Sequence, residues 1–146
     1  MSVVLAIDLG TSRLKAGLVD VTGALVAEAA VAAPPADRAA GAHEIDPEDW
    51  WRGFAALAGE LLERAPADFG SIVAVAVCGA TRTQVLIDAQ GGHVGPAIGW
   101  ADALAGEDAA SLLARSAPGS DELRHVNAFH PLARLAWLSR TAPERL

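Results

Sequence analysis

Short apolar runs separated by compact polar turns open this chain, and longer periodic stretches follow. Val3–Asp8, Leu14–Asp20 and Leu25–Ala32 each read as a strand. Leu9-Gly10-Thr11-Ser12-Arg13 turns the first strand into the second, and Val21-Thr22-Gly23-Ala24 turns the second into the third. Ala33–Gly41 carries Pro34-Pro35 and small residues, which predicts a loop. Asp46-Pro47-Glu48-Asp49 has the marks of a helix start: an acid at the N-cap, Pro at the first helical position and acids in the first turn. Trp50, Phe54, Leu57, Leu61 and Leu62 then return at helical spacing, predicting an amphipathic helix over 47–64.

Ser71–Gly79 is continuous and apolar, the pattern of a central strand buried on both faces as parallel strands are. A further strand is predicted over Thr83–Asp88, a turn at Ala89–Gly92, a short strand over Val94–Trp100 and a helix over 105–115. Pro118–Asp121 reads as a loop, and Pro131–Arg140 as a last helix with Leu132, Leu135, Trp137 and Leu138 as its apolar residues. Three hairpin-linked strands, a helix and a buried strand predict an α/β fold, a mixed sheet with flanking helices.

Composition narrows the class. A chain of 146 residues is one domain by length and can bury about 68–70% of its unfolded surface. With 52% hydrophobic residues it is globular rather than disordered. A net charge of −7 weighs against non-specific binding to nucleic acid or to an anionic membrane. Any anion-binding site in so acidic a chain would need its cations placed locally. The single cysteine, Cys78, permits no disulfide within the chain and fits a reducing compartment; its apolar neighbours predict an inert core thiol. Met1-Ser2-Val3-Val4 has no positive n-region, and no apolar run reaches the ~18 residues of a membrane span. The resulting expectation is a cytoplasmic protein.

The segment Val3–Asp20 concentrates the candidate chemistry. One end of a buried hairpin gathers the carboxylate of Asp8, the backbone of Gly10, the hydroxyls of Thr11 and Ser12, and the cations Arg13 and Lys15. Phosphate chemistry uses that set: a carboxylate for a magnesium ion, exposed N–H groups, hydroxyl donors and positive charge. The plainer reading makes Gly10 and Ser12 ordinary turn residues.

Asp8-Leu9-Gly10-Thr11-Ser12 with Lys15 resembles the phosphate-binding hairpin of the ribonuclease-H-like actin/hexokinase/Hsp70 ATPase superfamily. More narrowly it resembles the start of the FGGY-type carbohydrate kinases, the family of xylulokinase, gluconate kinase and glycerol kinase. Four later stretches keep the family's order. His43–Trp51 resembles the acid-Pro-Trp opening of the first long helix. Cys78–Gln84 resembles the segment that reaches the sugar. Pro96–Asp102 resembles the apolar lead-in to a Trp and an Asp. His130–Leu138, followed by Pro143-Glu144, resembles a helix with a basic residue, here Arg134, expected to be structural.

The resemblance implies a ribonuclease-H-like fold, with this chain as the N-terminal portion of the first of two domains. It implies ATP and Mg2+ as cofactors, a small sugar or polyol as substrate, and no nucleic-acid or membrane partner. It also allows a homodimer of the complete enzyme. Residue by residue, Asp8 would hold the metal, Gly10, Thr11, Ser12, Arg13 and Lys15 the phosphates, and Thr81, Arg82, Trp100 and Asp102 the sugar. A helix-capping role is an equal alternative for Asp102. The general base is expected beyond Leu146, so the chain alone is expected to be inactive.

Two departures blur the substrate: Thr83 lacks the carboxylate of the glycerol-kinase-like members, and Leu104 stands where many members carry an Arg. The rival reading is a non-catalytic sugar- or nucleotide-binding module of the same fold. His43, His93, His125 and His130 lack metal-ligand spacing, and Gly91-Gly92 opens no helix, so neither a zinc site nor a dinucleotide loop is predicted.

Overall fold

The computed structural model describes residues 2–115 and 125–146; the loop expected at Pro118–Asp121 lies outside them. In chain order the strands are β1 (Val3–Leu9), β2 (Arg13–Asp20), β3 (Leu25–Ala32), β4 (Glu44–Ile45), β5 (Ile72–Gly79) and β6 (Ala97–Ile98). The helices are α1 (Pro47–Arg64), α2 (Pro66–Phe69), α3 (Gly106–Arg115) and α4 (Pro131–Thr141). They form two compact units, one of Met1–Pro34 with Glu48–Ala80 and one of Pro35–Pro47 with Thr81–Leu146.

The first unit is a four-stranded sheet in the order β3-β2-β1-β5. β2 runs antiparallel to both β1 and β3, and β5 runs parallel to β1. Alternation sets the two faces. Val3, Leu5 and Ile7 of β1 and Leu14, Ala16 and Leu18 of β2 are buried, and the register pairs Leu5 with Leu18 and Ile7 with Ala16. Leu57 and Leu61 of α1, one helical turn apart, are fully buried in the same cluster. Each such side chain contributes about 1.5–3 kcal/mol of burial. Leu62, expected on that stripe, is 48% exposed and faces away. The β2–β3 turn is held by Asp20, whose Oδ1 accepts from the Thr22 and Ala24 N–H groups.

β5 corrects the expectation of a strand buried on both faces. It lies at the sheet edge, and Val73, Val75 and Val77 are 69%, 57% and 62% exposed. Its side chains suit a strand, but the α1 cluster is built on β1, β2 and β3. Cys78, expected in the core, is exposed for the same reason.

In the second unit β4 and β6 pair antiparallel, Glu44 opposite Ile98 and Ile45 opposite Ala97. The strand expected over Thr83–Asp88 is reduced to single bridges, Gln84 with Ile98 and Ile87 with His93, and the one expected over Val94–Trp100 to its central pair. Gly91, Gly92 and Gly95 interrupt this region, and Gly91 and Gly95 take positive φ. α3 and α4 pack through Ala105, Ala109, Val126 and Ala133. Arg140 closes the pair with a two-pronged bond to Asp108, Nε to Oδ1 at 3.2 Å and Nη2 to Oδ2 at 2.7 Å. On α4 the expected apolar residues divide: Leu138 is buried, while Leu132 and Leu135 are 48% and 44% exposed. Arg134 occupies the buried stripe instead.

Candidate functional site

In the first unit the chemistry-bearing residues line up across the sheet. The register sets Lys15 opposite Asp8 on one side and Cys78 opposite Asp8 on the other. Directly paired residues share a face, so the row Lys15–Asp8–Cys78 crosses β2, β1 and β5 on the face opposite the α1 core. This row borders a shallow recess of about 350 Å³, with Gly17 and Ala76 in its floor.

Asp8 is half-buried and Lys15 exposed. The Cys78 thiol donates to Asp8 Oδ1 at 3.5 Å. Loss of solvent, then the hydrogen bond to Asp8 and its negative charge, raise the Cys78 thiol above its ordinary range and keep it protonated.

The turn after β1 needs its glycine. A Cβ at Gly10 would come within 2.6 Å of the Arg13 carbonyl oxygen and 3.6 Å of Asp8 Oδ2. The chain therefore bends back tightly beside the carboxylate. Thr11, Ser12 and Arg13 are left exposed, and the Ser12 carbonyl accepts from the Ala33 N–H at 3.1 Å. A carboxylate, two hydroxyls, two cations and a close-turning backbone are thus brought together in one unit.

The second unit holds the other candidate residues. Thr81 and Arg82 are exposed. Arg82 has φ 60°, a left-handed conformation that costs a non-glycine residue about 1–3 kcal/mol. Its guanidinium lies over the Phe129 ring, 5.9 Å from the centroid. Trp100 is 46% exposed, and its ring tilts against His43 at 6.1 Å.

Asp102 differs from its neighbours. It is 1% exposed, and its oxygens accept from the His43 N–H at 2.8 Å and the Leu104 N–H at 3.1 Å. Its carboxylate, expected as an acceptor for sugar hydroxyls or as a helix cap, is enclosed by backbone donors in this chain. Enclosed as it is, the group ties the Trp100 loop to the His43 segment, close to the capping alternative.

A model of the FGGY family of carbohydrate kinases, N-terminal domain, matches residues 3–146. The chain belongs to this family. Among relatives of the FGGY chain, a glycerol kinase of Rhodospirillum centenum is 30% identical over 139 residues, which is 92% of this chain and 28% of that protein. The crystal structure of xylulose kinase from Rhodospirillum rubrum superposes with a TM-score of 0.86 at 27% identity, over 98% of this chain and 30% of that one. Plasmodium falciparum glycerol kinase with ADP shares the fold, with a TM-score of 0.83 at 20% identity over 99% of this chain and 30% of that one. The FGGY chain thus spans less than a third of the length of these proteins.

The donors of the FGGY chain fit a magnesium ion of the kind held through phosphates and water. Such an ion takes only one or two protein carboxylates, and Asp8 is a half-buried carboxylate just before Leu9 and the Gly10 turn. Among the described residues no group of three or more His, Cys, Asp or Glu could hold a metal ion. Among those residues, too, no helix is long and apolar enough to cross a membrane.

The sequence hid one large feature, the surroundings of Arg134. This residue is fully buried, and its Nη atoms donate to the carbonyls of Arg82, Ile98, Gly99 and Asp102. The available signal was a cation set within the apolar rhythm of α4, between Leu132 and Leu138. Likewise, Arg145 bonds the Pro96 carbonyl at 2.6 Å and lies 3.5 Å from Glu44, tying the C-terminal turn to β4 and the β6 lead-in.

Proposed function

We propose that this chain is the phosphate- and sugar-contacting part of an ATP-dependent carbohydrate kinase, acting on a hydroxyl of a small sugar or polyol in the cytoplasm. The observation that carries this reading is the Lys15–Asp8 pair beside the tight Gly10 turn, in a chain of the FGGY family. The two compact units are read as parts of one family domain, the first of a longer protein.

Bound Mg-ATP supplies the transferable phosphoryl group and neutralises its charge. Asp8 is the carboxylate on the metal side. The Gly10–Ser12 backbone and the Thr11 and Ser12 hydroxyls would donate to the phosphate oxygens of Mg-ATP. Lys15, with Arg13, offsets the charge that develops there. On the sugar side, Arg82 offers a fork of donors to hydroxyls or to a sugar acid, with Thr81 beside it. Trp100 gives its flat face to the C–H surface of the ring. Asp102 orients the Trp100 loop instead of binding sugar. The group that takes the proton from the sugar hydroxyl is sought in the family length that this chain does not span.

ADP release by the complete protein, measured against ketoses, polyols and sugar acids, tests this assignment. Asp8→Ala is expected to lower kcat by about 100-fold or more with the melting temperature unchanged. Arg82→Ala is expected to raise the sugar KM while the ATP KM stays put. Near-normal turnover in Asp8→Ala refutes the metal-side role. Sugar binding by calorimetry with no ADP release, in a protein of full family length, would favour the non-catalytic binding module.

A further inference from the structure

We propose that Arg134 is a positioning residue of the sugar-side site: one buried guanidinium grips both main-chain segments that carry Arg82 and Trp100. The inference rests on the reading of those two side chains as sugar contacts.

The geometry is specific. Nη1 donates to the Arg82 carbonyl at 2.5 Å and the Ile98 carbonyl at 3.5 Å. Nη2 donates to the Gly99 carbonyl at 2.7 Å and the Asp102 carbonyl at 3.1 Å. The residues on either side of Trp100 in this grip, Gly99 and Asp102, are thus held by one nitrogen, and Arg82 by the other. The side chain is 0% exposed, so these bonds work in a dry setting, where they are strong and where an unpaired donor is expensive.

Burying a guanidinium is costly for simple packing, and an apolar residue would fill the same stripe of α4 at lower cost. What an apolar residue lacks is the ability to fix four carbonyls at once. Arg82 shows why fixing matters, because its φ of 60° is a conformation it would leave if free. Arg134 holds the carbonyl of that strained residue. Phe129, just before α4, lies under its guanidinium. The backbone and the charged tip of Arg82 are therefore both set from α4 and its lead-in. Relaxation of Arg82 to negative φ would swing its side chain off the Phe129 ring. Burial weighs most on the Arg134 charge and the nearby Arg82 charge adds to that cost, while the buried Asp102 carboxylate, held by the His43 and Leu104 N–H groups, offsets part of it.

A lysine retains the charge but presents a compact ammonium with three donors, too few for four carbonyls. Arg134→Lys and Arg134→Met in the complete protein therefore test the grip. The expected result is a sugar KM raised roughly 10- to 100-fold in Arg134→Met and by a smaller factor in Arg134→Lys, with the ATP KM unchanged. A merely structural role would shift both constants together or neither. Equal sugar KM in folded Arg134→Lys and wild type overturns the proposal.

If wild-type protein turns over no sugar, the function reading fails, and the grip is still decided by fluorescence. The emission lost on Trp100→Phe isolates the Trp100 signal. Its quenching by acrylamide is expected to increase in the Arg134→Lys background. Unchanged quenching overturns the proposal, and this readout also serves if Arg134→Met does not fold.

Discussion

Single residues decide how the second unit closes on itself. Gly99 is the sharpest case, because a Cβ there would lie 1.9 Å from His43 Nδ1 and 2.7 Å from the His43 carbonyl oxygen. Both residues are buried, so neither can give way easily. Gly99→Ala is expected to destabilise the chain by about 1–3 kcal/mol, read as a lower urea midpoint; an unchanged midpoint would contradict this packing. At this scale the sequence was legible where chemistry follows chain order. Asp8 ends an apolar run, a turn with a needed glycine follows, and Lys15 is placed opposite by a hairpin register that a short turn dictates. It was illegible where a partner lies far along the chain. Asp102 caps the N–H of His43, and Arg134 bonds Arg82, through contacts that no local spacing encodes.

Elements were legible to the extent that one face is buried. β1, β2 and α1 alternate or repeat against a common core, so their periods fix type and ends closely. β5 was read as a strand correctly and as buried wrongly, since an apolar run specifies an extended segment but not what covers it. In this 146-residue chain Val75→Thr is therefore expected to change unfolding free energy by no more than about 0.5 kcal/mol, whereas Leu61→Ala costs about 2–5 kcal/mol. Chemical denaturation of both variants checks the contrast, and a Val75 cost as large as that of Leu61 would place β5 in a core.

The α3–α4 clasp adds a pH dependence. The hydrogen bond from Arg140 holds the Asp108 carboxyl below its ordinary range, with the charge of Arg140 adding to the effect. A lowered carboxyl stabilises the fold above its unfolded value and loses that contribution as pH falls through the folded one. Arg140 is exposed, so solvent screens the pair and its contribution is small. The stability difference between wild type and Asp108→Asn should fade below about pH 4. A difference constant from neutral pH to strong acid would contradict the clasp.

At the scale of the whole molecule, each of the two units holds its own set of candidate residues. One unit presents a carboxylate, a tight glycine turn and cations on an open sheet face. The other presents a gripped arginine and a half-exposed tryptophan. Five ordered stretches of sequence made the family readable, because order is far more specific than any one motif. The division into two compact units was not readable, since the helix start at Pro47 and the strand end at Gly79 carry no linker composition. The most direct measurement is ADP release by the complete protein from Mg-ATP, with and without each sugar and polyol of a panel. Release that depends on one class of sugar or polyol and is lost in Asp8→Ala is the predicted result. Release that is equal with and without every sugar would contradict it.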